Sequence, residues 1–495
     1  MIPLAFDLGA SSVRAAIGQF DGERLDVREV HRFPNDSVRI GDRLHWDILR
    51  IYHEVKQGFI AAKSAAPGPI TSFGIDSWGL DFGLLDRNDE LIGNPYHYRD
   101  DRNPIAAERV VERVPRAEIF ARTGIQFTPI NTLNQFEALR NSRVLAEAET
   151  FLQIPDLVRF FLTGEKTSEY TDGTTTQFMG LHSRSWDREL LAKLDLPHHM
   201  LGPIVEAPLL AGSLRAGVAA ELGVGRVTST VIAEHDTASA VAAIPAEGDF
   251  AYVSCGTWAL LGTELDAPIA DARALEWNFT NEGGLNGTYR LLKNICGLWL
   301  LESCRRSWAT EGTSLSFDAM HAAIASAEPF RSLIDPDAPE FFSPGSMPEA
   351  IRAVCSQGGQ PAPESQAQIL RCIHESLALK FQYVFDRVER LSNRRFSALH
   401  LVGGGANNAT LCQFTANAIG RPVLAGPIEA TVIGNLLVQL IATGHIANVA
   451  EAREVVRRSF PVTRYEPVET LAWQEQCHNY EAMLEREQRA RNEGR

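Results

Sequence analysis

Four things are missing from this sequence, and each absence removes a class of function. No apolar run is long enough to span a bilayer, which excludes a helical membrane protein. There is no excess of positive charge. Lys and Arg number 47 against 62 Asp and Glu, a net charge of −15, so neither a nucleic-acid backbone nor an anionic membrane surface is an expected partner. Cysteine is sparse, seven scattered over 495 residues, with no metal-ligand spacing. Cys355 and Cys372 could meet, but reduced thiols are the expectation in a cytoplasmic protein. The N-terminus has no basic start, and Asp7 interrupts its apolar run, so no secretory leader is expected and the protein reads as cytoplasmic.

What is present is a pair of hydroxyl- and glycine-rich turns some 250 residues apart. The first is Phe6-Asp7-Leu8-Gly9-Ala10-Ser11-Ser12 and the second Val253-Ser254-Cys255-Gly256-Thr257-Trp258. Each lies between two apolar runs and reads as strand, tight turn, strand. Such turns aim backbone N–H groups and short hydroxyls into one small space, which suits phosphate. At this length two domains are expected, with the boundary at Pro245–Gly248. That gives residues 1–245, 246–465 and a charged, helical surface tail at 466–495. In the first part the order is strands at 2–6 and 13–20, an alternating run at 25–33, a helical pattern at 46–62 and a strand at 70–75 closed by Asp76. This is the opening of a ribonuclease-H-like mixed sheet. Residues 80–92 read as an inserted hairpin, and helices are expected at 131–139 and 154–162, the latter capped by Gly164. In the second part the expectations are helices at 295–307, 368–391, 409–418 and 431–442, loops over 310–365, and a buried strand at 399–402.

Each motif has a plainer alternative. Asp7-Leu8-Gly9 could be an ordinary hairpin with an Asx-turn; paired with the second turn it favours phosphate, with Asp7 near a Mg²⁺ ion. Gly403-Gly404-Gly405 follows an apolar strand and precedes a helix. It is neither a Walker A loop nor G-x-G-x-x-G, but it permits close backbone approach to adenosine and phosphate. Glu234-His235-Asp236-Thr237 ends a strand and opens a helix. Asp236 could be a helix N-cap, or it could accept the proton of a substrate hydroxyl attacking a γ-phosphoryl group. His235 suits a structural or substrate-orienting role better than that of the base. Asp76-Ser77-Trp78-Gly79-Leu80-Asp81 could be a packed hairpin, or a sugar platform of indole and two carboxylates. Tyr98–Arg102 could be a surface charge cluster.

Together these residues resemble the FGGY carbohydrate kinases. The likeness is carried by Asp7–Arg14, Ile75–Phe82, Tyr98–Arg102, Gly124–Thr132, Glu169–Gln177, His235–Val241, Ser254–Trp258, Asn281–Gly284, Leu292–Trp299 and Val402–Asn408. IDSWGLDF and GIQFTPINT point to the branch of that family acting on L-rhamnulose. The resemblance implies an α/β fold of two ribonuclease-H-like (actin-like ATPase) domains around a central cleft. It also implies ATP- and Mg²⁺-dependent phosphorylation of L-rhamnulose at O1. Carried over residue by residue, the base falls on Asp236. Sugar contacts fall on Gly79, His235, Asp236, Thr237 and Asn294, ATP contacts on Ala10, Ser11, Ser12, Val13, Arg14, Thr257, Glu302 and Gly404, and the metal-associated carboxylate on Asp7. Val13, Glu302 and Cys255 depart from the familiar Gly, Gln and Ser; a carboxylate at 302 cannot donate an amide hydrogen bond. The expected partners are a small ketose and ATP, with a monomer slightly favoured. A kinase for L-fuculose, L-xylulose or D-xylulose is the nearest alternative, and a non-catalytic sugar- or nucleotide-sensing module the alternative of another class.

Overall fold

A computed structural model describes residues 1–493 apart from 314, 343 and 344. The chain divides into two compact units, and neither is continuous in sequence. The first comprises Met1–Ala246, Glu264–Leu292 and Glu429–Pro461, the second Glu247–Thr263, Lys293–Ile428 and Val462–Arg495.

In the first unit β1 (Pro3–Leu8), β2 (Ser12–Phe20) and β3 (Leu25–Pro34) form an antiparallel meander. Helix α1 (Ile48–Ala65) buries Ile48, Ile51, Val55 and Phe59, the apolar stripe whose spacing marks it as a helix. The chain then returns through β4 (Ser72–Ser77), which pairs parallel with β1. An edge strand β5 (Leu209–Ser213) pairs antiparallel with β6 (Thr228–Val231), and β6 runs parallel to β4. The order β5-β6-β4-β1-β2-β3 is that of a ribonuclease-H sheet with one added edge strand. The fourth strand continues through Asp76 rather than stopping before it. The expected local hairpin forms as a short one, with a bridge between Leu85 and Leu91 and with the Asp86 N–H donating to the Glu90 carbonyl and the Ile92 N–H to the Leu84 carbonyl; Phe82–Leu85 also pairs with Thr150–Gln153, 65 or more residues later. Residues 154–163 are helical and Gly164 closes them in the left-handed region, at φ 89°. Helix α2 (Asp236–Ala242) follows β6.

The second unit repeats the scheme. Strand β7 (Ala251–Cys255) turns into antiparallel β8 (Trp258–Leu265). The hairpin β9 (Thr280–Gly283) and β10 (Tyr289–Cys296), which belongs to the first unit as far as Leu292, leads to α3 (Trp299–Thr310). The expected helix at 295–307 therefore starts later, because the strand claims residues through Cys296. The stretch expected to be loops holds two helices, Phe317–Ser326 and Met347–Gln357. Helix α4 (Gln366–Ser392) opens with a capping box of Ser365 and Gln368. Strand β11 (Leu399–Val402) pairs parallel with β7. Helix α5 (Ala409–Ile419) leads to β12 (Val423–Ala425), parallel to β11.

Helix α6 (Ala430–Ala442) belongs to the first unit. A Cβ at Gly434 would lie 1.8 Å from the Ser239 carbonyl oxygen, so α6 touches α2 backbone to backbone. Its two buried amides reach the sheet. Asn435 Nδ2 donates to Asp76 Oδ2 at 2.6 Å, and Gln439 Nε2 to the Leu4 carbonyl at 3.0 Å. The chain ends with β13 (Thr463–Tyr465) and α7 (Thr470–Glu493). This tail is helical, as its sequence suggests, but it is not merely a surface helix. Trp473, Tyr480, Met483 and Leu484 are buried in an apolar cluster with Leu333 and Leu379. All seven cysteines are free. Among the described residues no helix is long and apolar enough to cross a membrane.

Candidate active site

In the first unit the residues singled out in the sequence gather where the carboxyl ends of β1, β4 and β6 meet. Open α/β sheets place ligands at such strand ends. Strand register sets Asp7 beside Asp76 on one side and beside Arg14 on the other. Arg14 Nη2 lies 2.8 Å from Asp7 Oδ2 and its Nη1 binds Glu429. Four carboxylates, Asp7 foremost and then Glu429, Asp76 and Glu29, hold the guanidinium in its charged form. Arg14 is thus already paired, which the sequence did not reveal.

Behind the first turn, Asn35 Nδ2 donates to the Gly9 carbonyl at 2.9 Å, and the Asn35 N–H to the Ser11 carbonyl at 3.1 Å. Asn35 went unnoticed in the sequence because nothing local marks it. Ser11 is exposed, and Ala10 and Ser12 are half-buried. Val13, taken as an ATP contact, is instead buried within the ladder opposite Leu8 and Phe33.

The dipeptide His235-Asp236 opens α2. The N-cap position is His235, and no side chain caps the helix. Asp236 is therefore not the cap that its sequence context allowed. Its Oδ1 accepts the Thr237 hydroxyl at 3.1 Å and sits 3.5 Å from His235 Nε2. About a third of its side chain is open, 33 % by relative area. Burial raises its pKa, the negative charge of Asp7 raises it further, and the hydrogen bond from Thr237 opposes them. Asp76 beneath it is fully buried and pushed well above the carboxylate range by burial, then by Asp7.

A buried polar bed supports this turn. Glu169 Oε2 accepts the Glu234 N–H at 3.2 Å, and Thr171 Oγ1 accepts the His235 N–H at 3.3 Å. Arg159 Nε donates to Glu234 Oε1 at 3.0 Å and the same guanidinium pairs with Asp156. Four buried carboxylates crowd together here (Asp156, Glu169, Asp172 and Glu234), Arg159 pairs with two of them, Asp156 and Glu234, and burial raises the pKa of all four, Glu169 to about 7. The segment 169–177 also abuts Gly79. A Cβ there would meet Thr175 Oγ1 at 2.8 Å, and the next residue, Leu80, is left-handed at φ 81°. Its N–H donates to Thr175 Oγ1 at 3.1 Å while its carbonyl accepts from Thr132 Oγ1 at 2.6 Å.

The reading of residues 76–81 as a sugar platform of two carboxylates is corrected in part. Asp81 is fully buried and fully used. It accepts from Trp46 Nε1 at 2.5 Å, Trp78 Nε1 at 3.0 Å, Gln135 Nε2 at 2.9 Å and the Tyr98 N–H at 3.2 Å. The Trp78 ring packs on Trp46, centroids 4.1 Å apart. This is a structural hub. Asp100 of the neighbouring charged segment is also folded in, 2.7 Å from Arg102 Nε.

The second unit carries the other expected residues. Gly403 (φ 81°) and Gly405 pack on the second turn: Cβ atoms there would lie 3.1 Å from the Cys255 carbonyl and 2.5 Å from Cys255 Sγ. Only Gly404 is exposed, with nothing within 4 Å of a Cβ. The Thr257 carbonyl accepts the N–H groups of Gly297 and Trp299 at 3.1 and 3.2 Å, so the second turn is clamped on the start of α3. Glu302, on that helix, pairs with Arg305 Nη1 at 2.9 Å. Asn294 is half-buried on β10.

Two ribonuclease-H-like units, each opening on a strand–turn–strand, define the actin-like ATPase fold. The chain belongs to the FGGY family of carbohydrate kinases. The model of that family's N-terminal domain matches residues 2–243 and that of its C-terminal domain residues 251–443. It is an ATP-dependent sugar kinase. A rhamnulokinase of Bacteroides thetaiotaomicron is 43% identical over 95% of this chain and 96% of its own length. One from Oceanobacillus iheyensis is 39% identical over 94% and 98%. In fold, the chain is similar to a ligand-bound xylulose kinase from Lactobacillus acidophilus, with TM-score 0.78 at 15% identity over 99% of this chain and 98% of that one. It is likewise similar to Plasmodium falciparum glycerol kinase with ADP, with TM-score 0.75 at 14% identity over 98% of each chain.

Proposed function

We propose that the protein transfers the γ-phosphoryl group of ATP to O1 of L-rhamnulose, giving L-rhamnulose 1-phosphate and ADP, with Asp236 as the base. The observation that carries this reading is the state of Asp236. It opens a helix without capping it, keeps an open carboxylate, and rests on a rigid bed. A carboxylate spent on capping could not take a proton; this one is available to the sugar hydroxyl. Phosphoryl transfer builds little charge on the nucleophile, so holding the hydroxyl in line matters more than a strong base. His235 and Thr237 flank the same oxygen, and Gly79 and Asn294 are assigned to the sugar.

The nucleotide is assigned to Ala10, Ser11 and Ser12 of the first turn, to Thr257, and to Gly404. Asn35 draws the carbonyls of the first turn to one side, which keeps acceptor oxygens away from phosphate. Val13 contributes only its backbone. Arg14 is assigned to keeping Asp7 in place, and Glu302 to a margin of the site, since its carboxylate faces Arg305.

The donor chemistry suits Mg²⁺. Asp7 raises the pKa of both Asp76 and Asp236, and Asp76 Oδ1 has no hydrogen-bond partner among the described residues. That excess of negative charge is what a divalent cation relieves. Among the described residues no cluster of three or more metal-binding side chains forms a protein-only cage, and Mg²⁺ commonly needs only one or two carboxylates beside water and phosphate. Asp7 would hold it, directly or through water, and it would offset charge on the phosphates. The test is ADP release on a panel of ketoses. L-rhamnulose should show the highest kcat/KM. A higher value on L-fuculose, L-xylulose or D-xylulose would move the assignment, and binding of ketose and ATP with no sugar phosphate formed would end it.

A further inference from the structure

His235 is held from behind by two residues that the sequence reading left without a role. In the hairpin of β9 and β10, Glu282 and Arg290 are direct cross-strand partners, so their side chains share a face. Both are buried, and the Arg290 side chain is wholly so. Arg290 Nε donates to the Gly283 carbonyl at 2.8 Å, which fixes the plane of the guanidinium. Its Nη2 then lies 3.1 Å from His235 Nδ1 and 3.3 Å from Glu282 Oε2. Glu282 Oε2 is itself 3.3 Å from His235 Nδ1.

A guanidinium can only donate. At 3.1 Å it lies nearer Nδ1 than the Glu282 oxygen does at 3.3 Å, and a neutral imidazole accepting the guanidinium's hydrogen bond at Nδ1 carries its proton on Nε2. Glu282 balances the guanidinium charge, so Arg290 can sit against a neutral ring without leaving a buried charge unpaired. The Nε2–H consequently faces Asp236 Oδ1, 3.5 Å away. That spacing leaves the donor shareable with an oxygen of the substrate.

We propose that Arg290 is a positioning residue, held by Glu282, that locks His235 in its Nε2–H tautomer and so keeps a hydrogen-bond donor beside the base. The donor orients the Asp236 carboxylate before substrate binds, and afterwards meets a ketose oxygen next to the one that loses its proton. The flipped tautomer would put a lone pair there instead, repelling both. This inference rests on the assignment of Asp236 as the base.

The experiment has two arms. In the first, ¹⁵N-labelled imidazole correlations are recorded on the full chain at neutral pH, with His235→Gln identifying the signal. The expected result is an unprotonated Nδ1 and a protonated Nε2. This arm needs no substrate, so it stands whichever ketose is turned over. In the second, Arg290→Met is combined with Glu282→Gln, which removes the donor without stranding a charge. That variant should show a fraction of His235 protonated at Nδ1. Its kcat, on the best ketose of the panel, should fall by about tenfold or more with KM for ATP unchanged. Arg290→Lys, which keeps a donor, should retain the tautomer and recover part of kcat. A proton found on Nδ1 in the unmodified protein overturns the proposal, and that measurement decides the matter even if the double variant does not fold. So does a folded double variant with unaltered tautomer and kcat.

Discussion

Replacing Asp236 with Asn separates a catalytic carboxylate from a structural one, because the two roles predict opposite signs. Asn keeps the shape and can still accept the Thr237 hydroxyl at the 3.1 Å contact. No helix amide loses a cap, since none is made by this side chain. The change also removes a negative charge whose ionisation is disfavoured by burial and by Asp7, and that adds to the burden on Asp76. Stability should therefore hold or rise, read as the midpoint of thermal or urea unfolding. Turnover should move the other way. Loss of a general base costs about 10² to 10⁴ in kcat, or on the order of 3–5 kcal/mol of barrier. ATP affinity, measured by calorimetry with a non-transferable analogue, should stay within about twofold, because Asp236 is assigned to the hydroxyl. The pH profile supplies a third reading. The raised pKa places the acid limb of kcat above that of an ordinary carboxylate, with activity lost as pH falls through it, and the variant should lack that limb. A variant that keeps kcat within about threefold of the parent, or that loses stability and activity together, would refute the assignment.

Three further outcomes are expected. Burial pushes Asp81 from 3.8 to about 7 and Glu169 from 4.5 to about 7; the folded chain binds more protons than the unfolded one across that window, so the urea midpoint should fall as pH rises from about 5 to about 7 and then level off. Gly405→Ala, whose Cβ would lie 2.5 Å from Cys255 Sγ, should cost about 1–3 kcal/mol of stability, while Gly404→Ala, with open space around it, should leave unfolding unchanged and raise KM for ATP. Trp473→Ala in the terminal helix should cost about 3–5 kcal/mol in unfolding experiments, since the ring packs against Phe330 and Phe414 with centroids 4.8 and 5.1 Å away; a negligible cost would mean that the tail is only a surface appendage.

Much of this molecule was legible from local pattern. Alternation marks β1 to β3, period 3.6 marks α1 and α4, and the glycine closing residues 154–163 is where a left-handed cap is needed. These signals are local because backbone hydrogen bonding and side-chain period are local. The places where reading failed share one cause. Ile295 and Cys296 looked helical and are strand, because sheet pairing outweighs helical spacing over so few residues. Residues 82–85 also found a partner far along the chain, Thr150–Gln153, that no local pattern marks. The candidate site follows the same division: Asp7, Asp236 and the three glycines could be named from short strings, whereas Asn35, Arg290 and Asn435 carry no local mark.

The amino-acid order by itself therefore determined which segments are strands and helices, where the phosphate-suited turns lie, and which carboxylates were worth asking about. Only the tertiary structure decided what each carboxylate does. Asp81 is consumed by two indoles, an amide and a backbone N–H, Asp76 is buried with one oxygen on an amide from a helix some 360 residues away, and Asp236 alone of the three keeps an open face. The reason is physical. Whether a polar group is spent or available depends on which donors reach it, and those donors arrive from segments that only folding brings together.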